Sequence, residues 1–222
     1  MLPCLETTSG PSPTHSLIIL HGLGADGADF LPVCQRLDLE DIGDIRFVMP
    51  SAPAMPVSIN NGYVMPAWYD IRPPGPLPRE DEAGMRTSLI AIHALIDREL
   101  ARGVPAEHIV LMGFSQGCAM ALMAGLRYPQ RLAGLIGLSG YLPVPERTAQ
   151  ERHTANTDTP IFIGHGLDDD VVPLARGQLA HATLKGLGHP MTWHDYPIDH
   201  TLCLDEIADI EQWLRRVWPT SI

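Results

Sequence analysis

The chain is poor in the groups that would hold a small fold together covalently. Its four cysteines, Cys4, Cys34, Cys118 and Cys203, are scattered over 222 residues without CxxC spacing. That spacing fits neither a zinc ribbon nor a disulfide framework, and reduced thiols are expected. Positive charge is scarce too: Lys and Arg total 15 against 26 Asp and Glu, giving a formal net charge of -11. Such a field repels nucleic acid and anionic headgroups, so no nucleic-acid partner is expected. No window reaches the apolar length needed to span a bilayer, which argues against stable membrane insertion. The opening stretch MLPCLETTSGPSP has no basic n-region and no apolar h-region, so the expected compartment is the cytoplasm. With 45% hydrophobic and 18% charged residues and no shift in composition, residues 1–222 read as a single globular domain.

The chain is organised around residues 109–122, IVLMGFSQGCAMAL. Four apolar residues run into a Gly-x-Ser-x-Gly turn, and a small, apolar, helix-compatible run follows. The order strand, turn, helix is the context in which this motif holds a serine in a strained, exposed position. Ser115 is the candidate nucleophile, flanked by Gly113 and Gly117 because a Cβ at either place would collide where strand and helix nearly touch. Its hydroxyl would stand at a helix start, where free N–H groups favour developing negative charge.

Taken in order, residues 1–16 read as an irregular entry rich in Thr, Ser, Pro and Gly. LIIL at 17–20 is a buried strand ending in His21-Gly22, a helix is expected over 28–36, and IRFVM at 45–49 is a second strand. Residues 50–67 form a long proline-bearing loop with a turn at Asn60-Asn61-Gly62, and RPPGPLP at 72–78 is a second proline-rich stretch. Helical spacing of Met85, Leu89, Ile92 and Leu100 predicts a helix over 80–102, stopped by Gly103. Strands are expected over 132–140, 161–164 and 191–196, helices over 174–185 and 204–218, and a polar connection over 141–159. Alternating strands and helices with continuous apolar runs predict a three-layer α/β fold with a mainly parallel central sheet and helices on both faces. Reactive groups then belong on loops at the carboxyl ends of the strands.

A serine hydroxyl needs a base and a carboxylate to orient that base, and on this kind of elbow the chain order is Ser, acid, His. His181 falls inside a helix, His189 at the wrong end of the sheet and His194 inside a strand. His200 follows a strand's carboxyl end and is selected. The acid should follow IFIG, where Asp168, Asp169 and Asp170 stand in a row; spacing does not choose among them. The oxyanion donors are expected to be the backbone N–H groups of Gln116 and of Leu23 in the glycine-bearing loop 21–24. His21 and His165, which both precede the acid, are expected to shape loops through hydrogen bonds.

HGLGADGADF (21–30), NNGYVMPAWYD (60–70), GFSQG (113–117), HGLDDDVVP (165–173) and DHTLC (199–203) together resemble the bacterial carboxylesterases of the acyl-protein thioesterase family, within the α/β-hydrolases. The resemblance implies a minimal α/β-hydrolase fold and hydrolysis of short- to medium-chain carboxylic esters, possibly thioesters, with no cofactor and no metal. It places the catalytic set on Ser115, Asp169 and His200, and the oxyanion donors on Leu23 and Gln116. Two departures stand out: Asp170 where relatives often have Pro, and Asp199 where Gly commonly precedes the histidine. Tyr63, Val64, Met65 and Trp68 resemble the border of the family's acyl pocket, with Trp68 equally suited to the core. The expected partner is a small-molecule or lipid-like ester, and the resemblance also allows a homodimer. Lysophospholipid or amide hydrolysis on the same residues, and a silent binding module of the same fold, are the alternatives.

Overall fold

The computed structural model describes residues 2–75 and 80–218. Seven strands form the central sheet, in the order β1-β3-β2-β6-β7-β8-β9. They are β1 (Cys4–Thr8), β2 (His15–Leu20), β3 (Ile45–Pro50), β6 (Ile109–Phe114), β7 (Gly134–Leu138), β8 (Ile161–Gly166) and β9 (Met191–Tyr196). β1 runs antiparallel to β3 at one edge, and every other pairing is parallel. β4 (Ala54–Val57) and β5 (Tyr63–Pro66) pair as a separate antiparallel hairpin.

Strand alternation sorts the core into two layers. In β2, Ile18 and Leu20 pack with α2 (Glu82–Ala101), α3 (Gln116–Arg127) and α5 (Leu174–Gly186), while Leu17 and Ile19 pack with α1 (Leu31–Cys34) and α6 (Leu204–Val217). Successive strand residues point to opposite faces, so a continuous apolar run supplies both layers at once. Each fully buried Leu or Ile contributes about 1.5–3 kcal/mol relative to exposure. α3 is buried on every side from Gln116 to Leu126, which its composition of Gly, Ala, Cys, Met and Leu permits.

A polar anchor joins the sheet to α2. The Glu99 carboxylate is fully buried and accepts hydrogen bonds from Ser16 Oγ (2.9 Å), Arg46 Nη1 (2.8 Å) and Arg102 Nη1 (3.0 Å). Leaving such a charge without its partners costs about 3–5 kcal/mol.

Three parts of the chain depart from the expectation. The entry is not irregular: Cys4–Thr8 is an edge strand that pairs through the full register Cys4↔Pro50 to Thr8↔Arg46. One face of it stays wet, so it lacks the apolar run by which the central strands are recognised. Residues 54–66 form the β4–β5 hairpin, which tolerates Pro56 and Pro66 because a two-stranded ribbon leaves half of its backbone groups unpaired. Its turn includes Asn61, left-handed at φ 56°, as the Asn-Asn-Gly signal implied. Within the expected connection lies α4 (Pro145–Glu151), a polar helix with proline in its first turn. Of the second proline-rich stretch, residues 76–78 lie outside the described residues.

Glu206, in the first turn of α6, is 1% exposed, and a Cβ on Gly164 of β8 would run into its carboxylate. Burial pushes its pKa up to about 8. A carboxyl whose folded pKa lies above its unfolded value holds its proton in the native state while the unfolded chain has released it. Stability is therefore lost as pH rises from about 4.5 to about 8. Glu206→Gln, which is neutral throughout, should flatten that decline by a few kcal/mol; urea unfolding of both proteins at pH 5 and pH 8.5 checks this. Parallel pH slopes would contradict it.

Candidate active site

β6 passes into α3 through one residue. Ser115 sits at φ 55° and ψ -116°, a region that non-glycine residues rarely occupy. The close approach is allowed by two missing side chains: a Cβ on Gly113 would overlap the carbonyl oxygen of Gly117, and one on Gly117 would overlap that of Leu20. The Ser115 N–H donates to the Leu138 carbonyl at 2.8 Å, which pins the turn to β7. Strain of this kind costs about 1–3 kcal/mol and persists only where the surroundings fix it. Cys118, one turn further on, is no rival nucleophile, because burial pushes its thiol up to about 12.

Two loops from the same edge of the sheet reach this serine. After β8, the Asp169 carboxylate accepts hydrogen bonds from the N–H groups of Val171 (3.0 Å) and Val172 (2.8 Å) through Oδ1. Its Oδ2 lies 2.7 Å from His200 Nδ1, and His200 Nε2 lies 2.9 Å from Ser115 Oγ. A carboxylate only accepts, so the imidazole proton belongs on Nδ1 and the Nε2 lone pair faces the hydroxyl. The structure also separates the three consecutive acids: Asp169 is 7% exposed, while Asp168 and Asp170 face solvent. The exposed Asp199 accompanies His200 in the loop after β9.

His165 and His21 hold the loops as expected. His165 Nε2 donates to the Val172 carbonyl at 2.8 Å, so its 3.5 Å approach to Asp169 Oδ2 is a close neighbour and not a second hydrogen bond. His21 Nδ1 donates to the Gly22 carbonyl (2.7 Å), and its Nε2 accepts from the Ala52 N–H (2.9 Å). Burial lowers the His21 pKa, which favours the neutral ring that this pattern requires. The Gly24 N–H donates to the Pro66 carbonyl at 2.9 Å, tying the loop after β2 to the hairpin. As the first residue of α3, Gln116 has a backbone N–H without an intrahelical acceptor.

The side chain of Gln116 has a use that the sequence did not reveal. Its Oε1 accepts from the Trp68 N–H and its Nε2 donates to the Tyr69 carbonyl, both at 2.8 Å. Ser88 Oγ donates to the Trp68 carbonyl, and Trp68 Nε1 donates to the His21 carbonyl at 2.9 Å. Residues 67–69 are thereby clamped between the elbow, α2 and the loop after β2.

A cavity of about 370 Å³ opens over Ser115, with Leu23, Ala25, Asp29, Phe30, Phe114 and Leu202 in its walls beside His200. None of the four residues expected at the acyl pocket lines this cavity. Tyr63 and Val64 stand exposed on β5, and Met65 Sδ accepts a hydrogen bond from Asn60 Nδ2 (3.4 Å). Trp68 is buried at 2% exposure because its ring and both of its backbone polar groups are used in the clamp. The wall residues Asp29, Phe30, Phe114 and Leu202 all lie within the motifs HGLGADGADF, GFSQG and DHTLC, but nothing in the sequence assigned them to a cavity wall. Among the described residues no group of three or more His, Cys, Asp or Glu is placed to hold a metal ion, and no helix is long and apolar enough to cross a membrane.

A serine elbow at the carboxyl edge of a mostly parallel sheet, with helices on both faces, is the architecture of an α/β-hydrolase. The family model described as Phospholipase/Carboxylesterase matches residues 2–218, and the chain belongs to that family. It is 35% identical to acyl-protein thioesterase 1 of Yarrowia lipolytica over 217 residues, covering 96% of each chain. It is 41% identical to that of Schizosaccharomyces pombe over 165 residues, covering 73% of each. Among solved structures, Arabidopsis thaliana SOBER1 superposes with a TM-score of 0.86 at 32% identity, covering 92% of this chain and 99% of that one. Zea mays acyl-protein thioesterase 2 gives 0.81 at 27% identity, covering 97% and 99%. The protein is thus a hydrolase of the ester and thioester class.

Replacing Gln116 by Ala leaves a buried N–H and a buried carbonyl unpaired, each worth about 1–3 kcal/mol. The variant should unfold at lower urea concentration with an unchanged m-value; an unaltered midpoint would show that the clamp contributes nothing.

Proposed function

We propose that the protein is a serine carboxylesterase that hydrolyses short- to medium-chain esters, and thioesters of the same acyl groups, through an acyl-enzyme. The observation that carries this reading is the single imidazole of His200 hydrogen-bonded to Ser115 on one side and to Asp169 on the other. Nε2 takes the hydroxyl proton as Oγ attacks the acyl carbon, Asp169 stabilises the imidazolium, and the same proton passes to the departing oxygen or sulfur. Water then repeats the sequence on the acyl-serine and releases the acid. The N–H groups of Leu23 and Gln116 receive the oxyanion, at about 3–4 kcal/mol per well-placed donor. No metal or cofactor is needed for these steps. Of the hairpin residues, Met65 lies beside Gly24 of the oxyanion loop, and the Gly24 N–H donates to the Pro66 carbonyl, so this end of the hairpin would offer apolar contact to an acyl chain that extends past the loop.

The carboxylesterase and thioesterase names of the relatives support the ester and thioester scope, whereas no observation favours amide bonds. Ser115→Ala should lower kcat on an aryl butyrate by about a million-fold, since the three groups act as a unit. Near-normal turnover by that variant would refute the assignment.

A further inference from the structure

The geometry points to a specificity-determining residue: Asp29, in the wall of the cavity over Ser115, selects esters whose leaving group carries a positive charge. This rests on the reading of Ser115 as nucleophile. His200 must hand its proton to the atom that leaves the acyl carbon, so the leaving group has to lie on the ring's side of Ser115. The cavity is on that side, since His200 and the two residues that follow it, Thr201 and Leu202, form part of its wall. Its other walls come from Phe30, Phe114 and Val171, which offer apolar contact and no charge.

Asp29 is the one acidic residue among the described residues of that wall. One oxygen, Oδ2, accepts the Asp26 N–H at 2.9 Å, and the side chain has no ion-pair partner among the described residues. The local field has the same sign. Residues 21–35, 115–126, 167–175 and 197–214 contain neither lysine nor arginine. The carboxylates of Asp26, Asp168, Asp170 and Asp199 are exposed there without cationic partners among the described residues. A negative potential beside an apolar wall, with no lysine or arginine in the segments that form it, draws in an alcohol or thiol bearing an ammonium or guanidinium group and repels an anionic carrier. The chemistry is ordinary acyl transfer: the bond from the acyl carbon to the leaving atom breaks, the bond to Oγ forms, and the leaving atom departs with the proton from Nε2.

The test compares butyrylcholine with its neutral isostere, 3,3-dimethylbutyl butyrate, with each kcat/KM corrected for the ester's alkaline hydrolysis rate. At low salt the cationic ester should be favoured by about three-fold, the range of a partly exposed charge pair. The preference should fade in 0.5 M NaCl. Asp29→Asn keeps the acceptor for the Asp26 N–H and should bring the ratio close to one, while Asp29→Glu should retain it. Equal ratios in the wild type and Asp29→Asn, or a preference for the neutral ester, overturn the inference. Hydrolysis of both esters that survives Ser115→Ala would instead overturn the proposed function, so the two failures can be told apart.

Discussion

The structure depends on how closely α3 approaches β6 and β2. The gap is so narrow that Gly113 and Gly117 have no room for a Cβ, and the single residue between strand and helix is forced to positive φ. That geometry fixes the fully buried α3 at the centre of the molecule and lifts one hydroxyl clear of the sheet edge. Everything else at the site is arranged to meet a hydroxyl whose position is already set. The loops after β2, β8 and β9 all end at that edge because parallel strands deliver their following loops to the same side.

Rigidity around the elbow comes from polar groups that are satisfied almost one for one. Asp169 is held by two backbone N–H groups before it meets His200, and the segment carrying those N–H groups is held by His165. On the other side, His21, Gln116, Ser88 and Trp68 close a network around residues 67–69. Interactions of this kind contribute little individually to folding but are costly when half broken. They hold Ser115, His200 and Asp169 in a geometry that, under the proposed function, would need no rearrangement as charge develops.

Much of this was legible in the sequence because it is local. Apolar runs such as LIIL and IFIG mark strands buried on both faces, and a glycine on each side of a serine between strand and helix marks the elbow. His200 followed from topology, since only it stands after a strand and before a helix beyond the acid. Choosing Asp169 from three consecutive aspartates required the family resemblance; the structure separates them by burial, which no spacing encodes. What remained hidden is non-local or half wet. β1 depends on pairing with a strand some forty residues away, the hairpin carries prolines, and the second role of Gln116 depends on residues 47 and 48 positions distant. The cavity walls were hidden for the same reason, as Asp29 and Leu202 meet only in three dimensions.

The account turns on an acyl group being held by Ser115 with its oxygen between two amides. The most direct measurement is a crystal structure of the protein after reaction with an alkyl fluorophosphonate. The account predicts phosphorus bonded to Ser115 Oγ, one phosphonyl oxygen about 3 Å from the N–H groups of both Leu23 and Gln116, and His200 Nε2 within reach of the leaving position. Phosphorus on any other side chain, or the phosphonyl oxygen turned away from both amides, would contradict it.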